Sequence, residues 1–330
     1  MTAVRFDILG IGNAIVDVVA AVDDPFLSRH DMRKGAMMLV DAAAAEGVYA
    51  AMPPAKETSG GSAANTCAVA AALGARVAYL GKVADDQLGR VFAHDIRATG
   101  VHFPSAPLAA GAPTARCMIL VTPDGQRTMN TFLGACVAFG EADIDEDLVR
   151  SASVTYLEGY LFDPPAAQAA FRKAARTAHD AGRQVALSLS DAFCVDRHRA
   201  AFRDLVAGHV DILFANEVEI TSLYETNTFE EAAESVRRDV ATAVLTRSEA
   251  GSLILRGGDT VMVAAEPTKV VDTTGAGDAY AAGFLAGLTS GRKLADCGRL
   301  GSMAAAEVIS HYGARPESDL RQRAAAAGLG

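Results

Sequence analysis

The chain contains no tryptophan, and aromatic residues account for only 6% of its 330 positions. A core of Ala, Val, Leu and Ile has to replace them, and with 50% apolar residues the sequence can build one. The length allows one large α/β body with a small appendage, or two domains. No apolar run is long enough to span a bilayer. The N-terminus lacks a charged stretch followed by an apolar core, so no secretory signal is expected there. The five cysteines (Cys67, Cys117, Cys136, Cys194 and Cys297) are odd in number and scattered, without a C-x-x-C pair. Reduced thiols and no zinc site are therefore expected. Together these absences predict a soluble, cytoplasmic protein with no membrane partner. Lys/Arg-rich runs are missing too, and a net charge of −10 argues against nucleic acid as a partner. Internal repeats and a Walker A sequence are also lacking.

What is present is an alternation of short apolar runs and helical patterns. Phe6 to Gly12 reads as a buried strand ending in glycines. Its Gly10-Ile11-Gly12 invites a dinucleotide fingerprint, but Ile15 occupies the third glycine position and a second strand, not a helix, follows. Asn13 and Asp17 instead lie beyond the end of a parallel strand, where α/β sheets bind ligands, or they cap their own turns. Further strands are expected at 35–41, 76–83, 154–160, 185–190, 210–215 and 242–247. Helices are expected at 42–52, 86–99, 165–181, 197–207 and 294–310. Two hairpins interrupt the cadence, 114–122 with 127–132 across Pro123-Asp124-Gly125, and 252–255 with 260–263. The first, with the strands near 16–22 and 35–41, predicts a separate small sheet lying over the main one. Arg127 on that sheet is either a phosphate ligand or a surface charge.

Two glycine-led helix starts carry the chemistry. In Asp272-Thr273-Thr274-Gly275-Ala276-Gly277-Asp278, a run containing Val270 and Val271 reads as a strand that feeds a turn and then a helix. Bare N–H groups at such a start form an anion site, and Asp278 in the first turn is stabilised as a carboxylate unless something buries it. An anion hole beside a base suits phosphoryl transfer to a hydroxyl; an ordinary helix start fits the same residues. The second start is Gly60-Gly61-Ser62-Ala63-Ala64-Asn65, with Ser62 expected as N-cap and Asn65 in the first turn. Asn216 and Glu219 form a third pattern at a strand's C-terminal end. They suit magnesium held through water, and equally a capping box.

The stretches GGSAANTCAVAAALG (60–74) and DTTGAGDAYAAGFL (272–285) resemble the two signatures of the ribokinase-like (PfkB) family of sugar and nucleoside kinases. The resemblance implies a Rossmann-like large domain at 1–13, 59–103 and 139–330, with a discontinuous β-sheet lid at 14–58 and 104–138. It further implies transfer of the ATP γ-phosphoryl group to a primary alcohol. On that resemblance Asp278 is the base, Gly275, Ala276 and Gly277 the anion hole, and Asn216 with Glu219 the magnesium motif. Arg127, Thr246, Gly251 and Thr274 fall on the ATP side. Asp272 and Thr274 are candidates for a potassium ion. Asn13, Asp17, Gly61, Ser62 and Asn65 face the acceptor. Gly12-Asn13-Ala14-Ile15-Val16-Asp17 is similar to the nucleoside branch, which implies adenosine as acceptor with Met38, Cys117, Leu133 and Leu161 around its base. A free sugar (fructose, ribose or a keto-deoxy sugar acid), or a silent nucleoside-binding protein, are the alternatives. Monomer and lid-mediated homodimer are both compatible with the family.

Overall fold

The computed structural model describes residues 3–330; residues 1 and 2, the start of the range expected for the larger body, lie outside the described residues. Apolar, β-branched runs form strands and Ala-rich stretches form helices throughout. Strand β1 (Phe6–Ile11) leads directly into β2 (Ile15–Ala21), α1 (Asp24–Arg29), β3 (Met37–Leu39), α2 (Ala42–Ala51) and β4 (Lys56–Gly60). Helix α3 (Ser62–Ala72), β5 (Val77–Leu80), α4 (Gln87–Ala98), β6 (Ala115–Val121) and β7 (Arg127–Phe132) follow. The middle of the chain supplies α5 (Glu146–Arg150), β8 (Ala152–Glu158), α6 (Pro165–Asp180), β9 (Gln184–Ser188), α7 (Ala192–His209) and β10 (Ile212–Asn216). The remainder is α8 (Glu217–Tyr224), α9 (Phe229–Asp239), β11 (Thr242–Thr246), β12 (Ser252–Arg256), β13 (Asp259–Val263), α10 (Ala276–Thr289), α11 (Leu294–Val308) and α12 (Leu320–Ala326).

The strands make two sheets. The larger runs β13-β12-β11-β10-β9-β8-β1-β5, parallel from β11 to β5 and closed at the other edge by the antiparallel β12–β13 hairpin. Helices cover both of its faces. One apolar cluster joins the sheet to α6, α7 and α9 through Phe171, Phe202 and Val236. The other joins it to α3, α4, α10 and α11 through Val69, Phe92, Phe284 and Val308. This is an α/β fold with a mostly parallel central sheet flanked by helices. Strand β1 lies between β8 and β5, so the strand order reverses there. The carboxyl ends of β1 and β8 therefore open a crevice of the kind that receives ligands.

The second sheet runs β3-β7-β6-β2-β4. Its member β4 is missing from the expected strands, because Lys56-Glu57-Thr58 offers no apolar alternation, yet it pairs antiparallel with β2. Ser59 and Gly60, grouped with the larger body from the sequence, end this strand of the smaller sheet. Three other expectations are corrected. The strand at 35–41 shortens to Met37–Leu39, the helix expected at 197–207 is the part of α7 beyond a kink at His198 and follows a first segment from Ala192, and α1, α5, α9 and α12 were not foreseen. No strand forms at 269–271; Val271 N–H bonds instead to the Ile309 carbonyl past the end of α11.

Candidate active site

The crevice at β1 and β8 is closed by one buried carboxylate. Glu158, the last residue of β8, is 1% exposed and accepts from Asn13 Nδ2 at 2.8 Å, Asn13 N–H at 3.3 Å and Ala63 N–H at 2.7 Å. It thereby ties the end of β1 to the first turn of α3. Burial pushes its carboxyl up to about 7, against those donors. The Asn13 amide oxygen has no protein partner among the described residues.

Gly61, not Ser62, is the N-cap of α3. Its φ is +93°, and a Cβ there would lie 2.1 Å from the Asn13 carbonyl oxygen, so the turn needs glycine. Ser62 becomes the first helical residue and its hydroxyl is free for a distant partner. It donates to Asp278 Oδ1 at 2.6 Å, while Asn65 Nδ2 donates to Asp278 Oδ2 at 3.2 Å. Two helix N-termini thus converge on one carboxylate. Burial raises Asp278 above the usual carboxylate range, opposed by Ser62, Asn65 and the Arg315 guanidinium. Asp17 on β2 leans over bare Gly60, where a Cβ would fall 2.3 Å from its Oδ2. Its carboxylate hydrogen-bonds to no protein group among the described residues. Burial carries it to about 7, eased by Arg315 and Arg127 and aggravated by Asp278. An unpartnered, part-buried carboxylate beside a held one can accept from a donor such as a hydroxyl.

At the start of α10, Gly275 is the N-cap with φ +78°, and a Cβ there would crowd Ala314 Cβ at 2.6 Å. The Ala276 N–H is engaged inside the turn, donating to the Thr273 carbonyl at 3.2 Å. That corrects the expectation of Ala276 as a member of the anion hole. The N–H groups of Gly275, Gly277 and Asp278 have no protein acceptor among the described residues, and space beside Gly277 is open for 4 Å around a notional Cβ. An anion can approach there.

Arg127 reaches this turn from β7. Its Nη2 pairs with Asp272 Oδ2 at 2.7 Å, its Nη1 lies 3.4 Å from Thr274 Oγ1, and its guanidinium covers the Tyr312 ring. Asp272 also accepts from Thr274 N–H, Thr274 Oγ1 and Gly313 N–H. A potassium ion at Asp272 and Thr274 does not fit this arrangement, since a guanidinium already neutralises the carboxylate. Asn216 and Glu219 close a capping box: Glu219 accepts from Asn216 N–H at 2.9 Å and Asn216 Nδ2 at 2.6 Å, and Glu219 N–H donates to Asn216 Oδ1 at 2.8 Å. Burial lifts Glu219 to about 7, with Asp191 and Asp278 adding to the effect. No group of three or more His, Cys, Asp or Glu able to hold a metal occurs among the described residues. Thr246 pairs in register with Asn216 across β10 and β11. Gly251 (φ +86°) closes the turn beyond it.

A family model for pfkB family carbohydrate kinases matches residues 35–320. The chain belongs to this family. The kinase is 54% identical to the adenosine kinase from Sinorhizobium meliloti, whose crystal structure superposes with a TM-score of 0.90 over 98% of this chain and 99% of that one. It is 52% identical to a probable sugar kinase from Rhizobium etli CFN 42, with a TM-score of 0.92 and 99% coverage of both chains. The adenosine kinase of Saccharomyces cerevisiae is 29% identical over 92% of this chain and 94% of its own. No helix among the described residues is long and apolar enough to cross a membrane.

In the kinase, strand register sorts the residues expected around a nucleobase. Asp17 is opposite Cys117, Cys117 opposite Thr131, and Thr131 opposite Leu39. Side chains alternate along strands, so these four share one face, with Ile119, Met129 and Leu133 packed beside Cys117. Met38 belongs to the opposite face with Asn130 and Met118; Leu39 and Met37 replace it, 52% and 47% exposed. Leu161 is likewise corrected. It lies in the main core, 1% exposed, whereas its neighbour Tyr160 is 36% exposed and is influenced by Asp191, Asp278 and Glu219. Glu158 and Arg315 were not singled out from the sequence. Of these only Glu158 left a signal, a lone acid at the end of an otherwise apolar strand.

Proposed function

We propose that this kinase transfers the γ-phosphoryl group of ATP to the 5′-hydroxyl of adenosine. The observation that carries the reading is Asp278, held by Ser62 and Asn65 beside the open amides of Gly275 and Gly277. Asp278 accepts the hydroxyl proton as the acceptor oxygen attacks the γ-phosphorus. The bond from that phosphorus to the bridging oxygen breaks, and ADP leaves with the electron pair. The amides of Gly275 and Gly277 stabilise charge on the transferred group, and Arg127, paired with Asp272, braces the turn beside Thr274. Asp17 and the Asn13 amide oxygen receive the sugar hydroxyls, and Thr246 and Gly251 border the nucleotide.

Magnesium carried in with ATP would neutralise phosphate charge when bound. Glu219 is the group to hold it through water, because its buried carboxylate is oriented on two sides by Asn216. Residues 14–58 and 104–138 act as the lid over the body formed by 1–13, 59–103 and 139–330, excluding water from the transfer.

The apolar row of Cys117, Ile119, Met129, Leu133 and Leu39 beside Asp17 favours a nucleobase over a free sugar, and the likeness to the Sinorhizobium enzyme supports the same choice. The alternative, a sugar acceptor, is supported by the likeness to the Rhizobium etli protein. A panel of adenosine, inosine, cytidine, ribose and fructose with ATP and magnesium decides. Adenosine is expected to be turned over best; a free sugar handled well above it would overturn the assignment.

A further inference from the structure

Arg315 occupies the loop between α11 and α12 and reaches residues far away in the chain. Its Nη2 donates to the Ser59 carbonyl at 2.7 Å and to Ser59 Oγ at 3.0 Å, and its Nη1 donates to the Ala64 carbonyl at 3.1 Å. Ser59 passes the contact on, donating from its N–H and hydroxyl to Asp95 Oδ2. The Nε of Arg315 is buried without a partner among the described residues. Between Ser59 and Ala64 lie Gly60, under the Asp17 carboxylate, and Ser62; Asn65 follows at once. The loop itself is held from below. Glu307, 3% exposed, accepts the N–H groups of Glu317 at 3.0 Å and Ser318 at 2.7 Å. Ala314, next to Arg315, is the residue against which Gly275 packs. One loop therefore touches the anion turn on one side and the acceptor segment on the other.

We propose that Arg315 is a positioning residue for the transfer: its fork fixes the 59–64 segment against Asp278, and its charge holds the Asp17 and Asp278 carboxylates together in one site. Two acids side by side repel unless a cation is shared between them. The titratable groups coupled electrostatically to Asp278 are Asp17 from β2, Tyr156 and Glu158 from β8, Tyr160 after β8, Glu219 from α8, and Arg315. Arg315 is the only cation among these named groups. Arg127 acts on Asp17 from β7 of the same small sheet and is itself neutralised by Asp272. The geometry rests on Asp278 as the base.

The test compares the pH dependence of kcat and the acceptor KM in the parent, D278N, R315K and R315M enzymes. Lysine keeps the charge but cannot bridge two carbonyls as a planar fork does. R315K is expected to raise the acceptor KM about tenfold with the acid limb of kcat in place. R315M is expected to raise KM similarly and to move that limb upward by about one pH unit. If R315M does not fold, R315Q gives the same neutral readout. A limb that vanishes in D278N but stays put in the neutral Arg315 variant overturns this proposal alone. A limb that survives in D278N overturns the base assignment and this proposal with it. A structural cross-link would alter thermal stability and leave the limb unmoved.

Discussion

On the proposed mechanism, replacing Asp278 by Asn removes the proton acceptor and little else. In the parent, Oδ1 receives the Ser62 hydroxyl at 2.6 Å and Oδ2 receives the Asn65 amide at 3.2 Å. An Asn side chain can keep its oxygen toward Asn65 and turn its amide toward Ser62, whose hydroxyl rotates to accept. At most one hydrogen bond is rearranged, a change of about 1 kcal/mol, and the loss of a desolvated charge works the other way. Thermal midpoint and acceptor binding should therefore change little. Turnover should fall by about a hundredfold to ten-thousandfold, as for other general bases, which corresponds to about 3–5 kcal/mol of barrier. The pH profile gives a second readout. Burial raises the Asp278 carboxyl above its usual range and only the carboxylate can take the proton, so parent kcat falls as pH drops through that raised value. D278N should lose this acid limb. The assay is ADP release under saturating ATP and adenosine, with acceptor binding measured separately by calorimetry. A D278N enzyme that binds adenosine normally and turns over within about threefold of the parent would refute Asp278 as base, since no base with that contribution would have been removed.

Two further outcomes follow from groups around it. Glu158 is raised from 4.5 to about 7, so the folded protein holds its proton more tightly than the unfolded chain, and its stabilising effect is full below about pH 4.5 and lost as pH rises toward 7. The loss is about 3 kcal/mol for the group, and Asp17 adds a similar slope from 3.8 to about 7. E158Q should flatten part of the decline in denaturant stability across this window and leave the Asp17 part; a slope as steep as the parent's would disprove the assignment. Because Arg127 neutralises Asp272, exchanging potassium for tetramethylammonium should leave turnover unchanged, and a several-fold loss of rate in steady-state assays would show that a metal cation is needed there after all.

The legible parts of this enzyme were local ones. Strand, glycine turn and helix N-terminus are written in consecutive residues, so the two glycine-led starts could be read from spacing and backbone chemistry, whereas the proposed role of Asp278 as base came with the family resemblance. The alternation of apolar strands and Ala-rich helices likewise announced the parallel sheet. Parity was not legible where the pattern was irregular. The stretch from Asp23 to Lys56 carries three consecutive apolar side chains in Met37-Met38-Leu39, and only pairing with β7 decides that Leu39 faces Asp17 while Met38 turns away. A shift of one residue inverts every such assignment. Hydrogen-bond competition was hidden as well. Ser62 is a good N-cap by type, but Gly61 can adopt φ +93°, so the hydroxyl is free to reach Asp278, 216 positions away. Ala276 is part of an anion turn by position, yet the turn consumes its N–H before any ligand arrives. Arg315 lies 256 positions from Ser59, in a stretch (His311 to Asp319) with neither periodicity nor motif. Glycines and a base advertise a reaction through local backbone geometry, whereas the cation that lets neighbouring carboxylates coexist is fixed only when the chain closes on itself. For this fold, a part-buried arginine contacting backbone carbonyls near two acids is therefore a stronger pointer to site electrostatics than any sequence pattern around it.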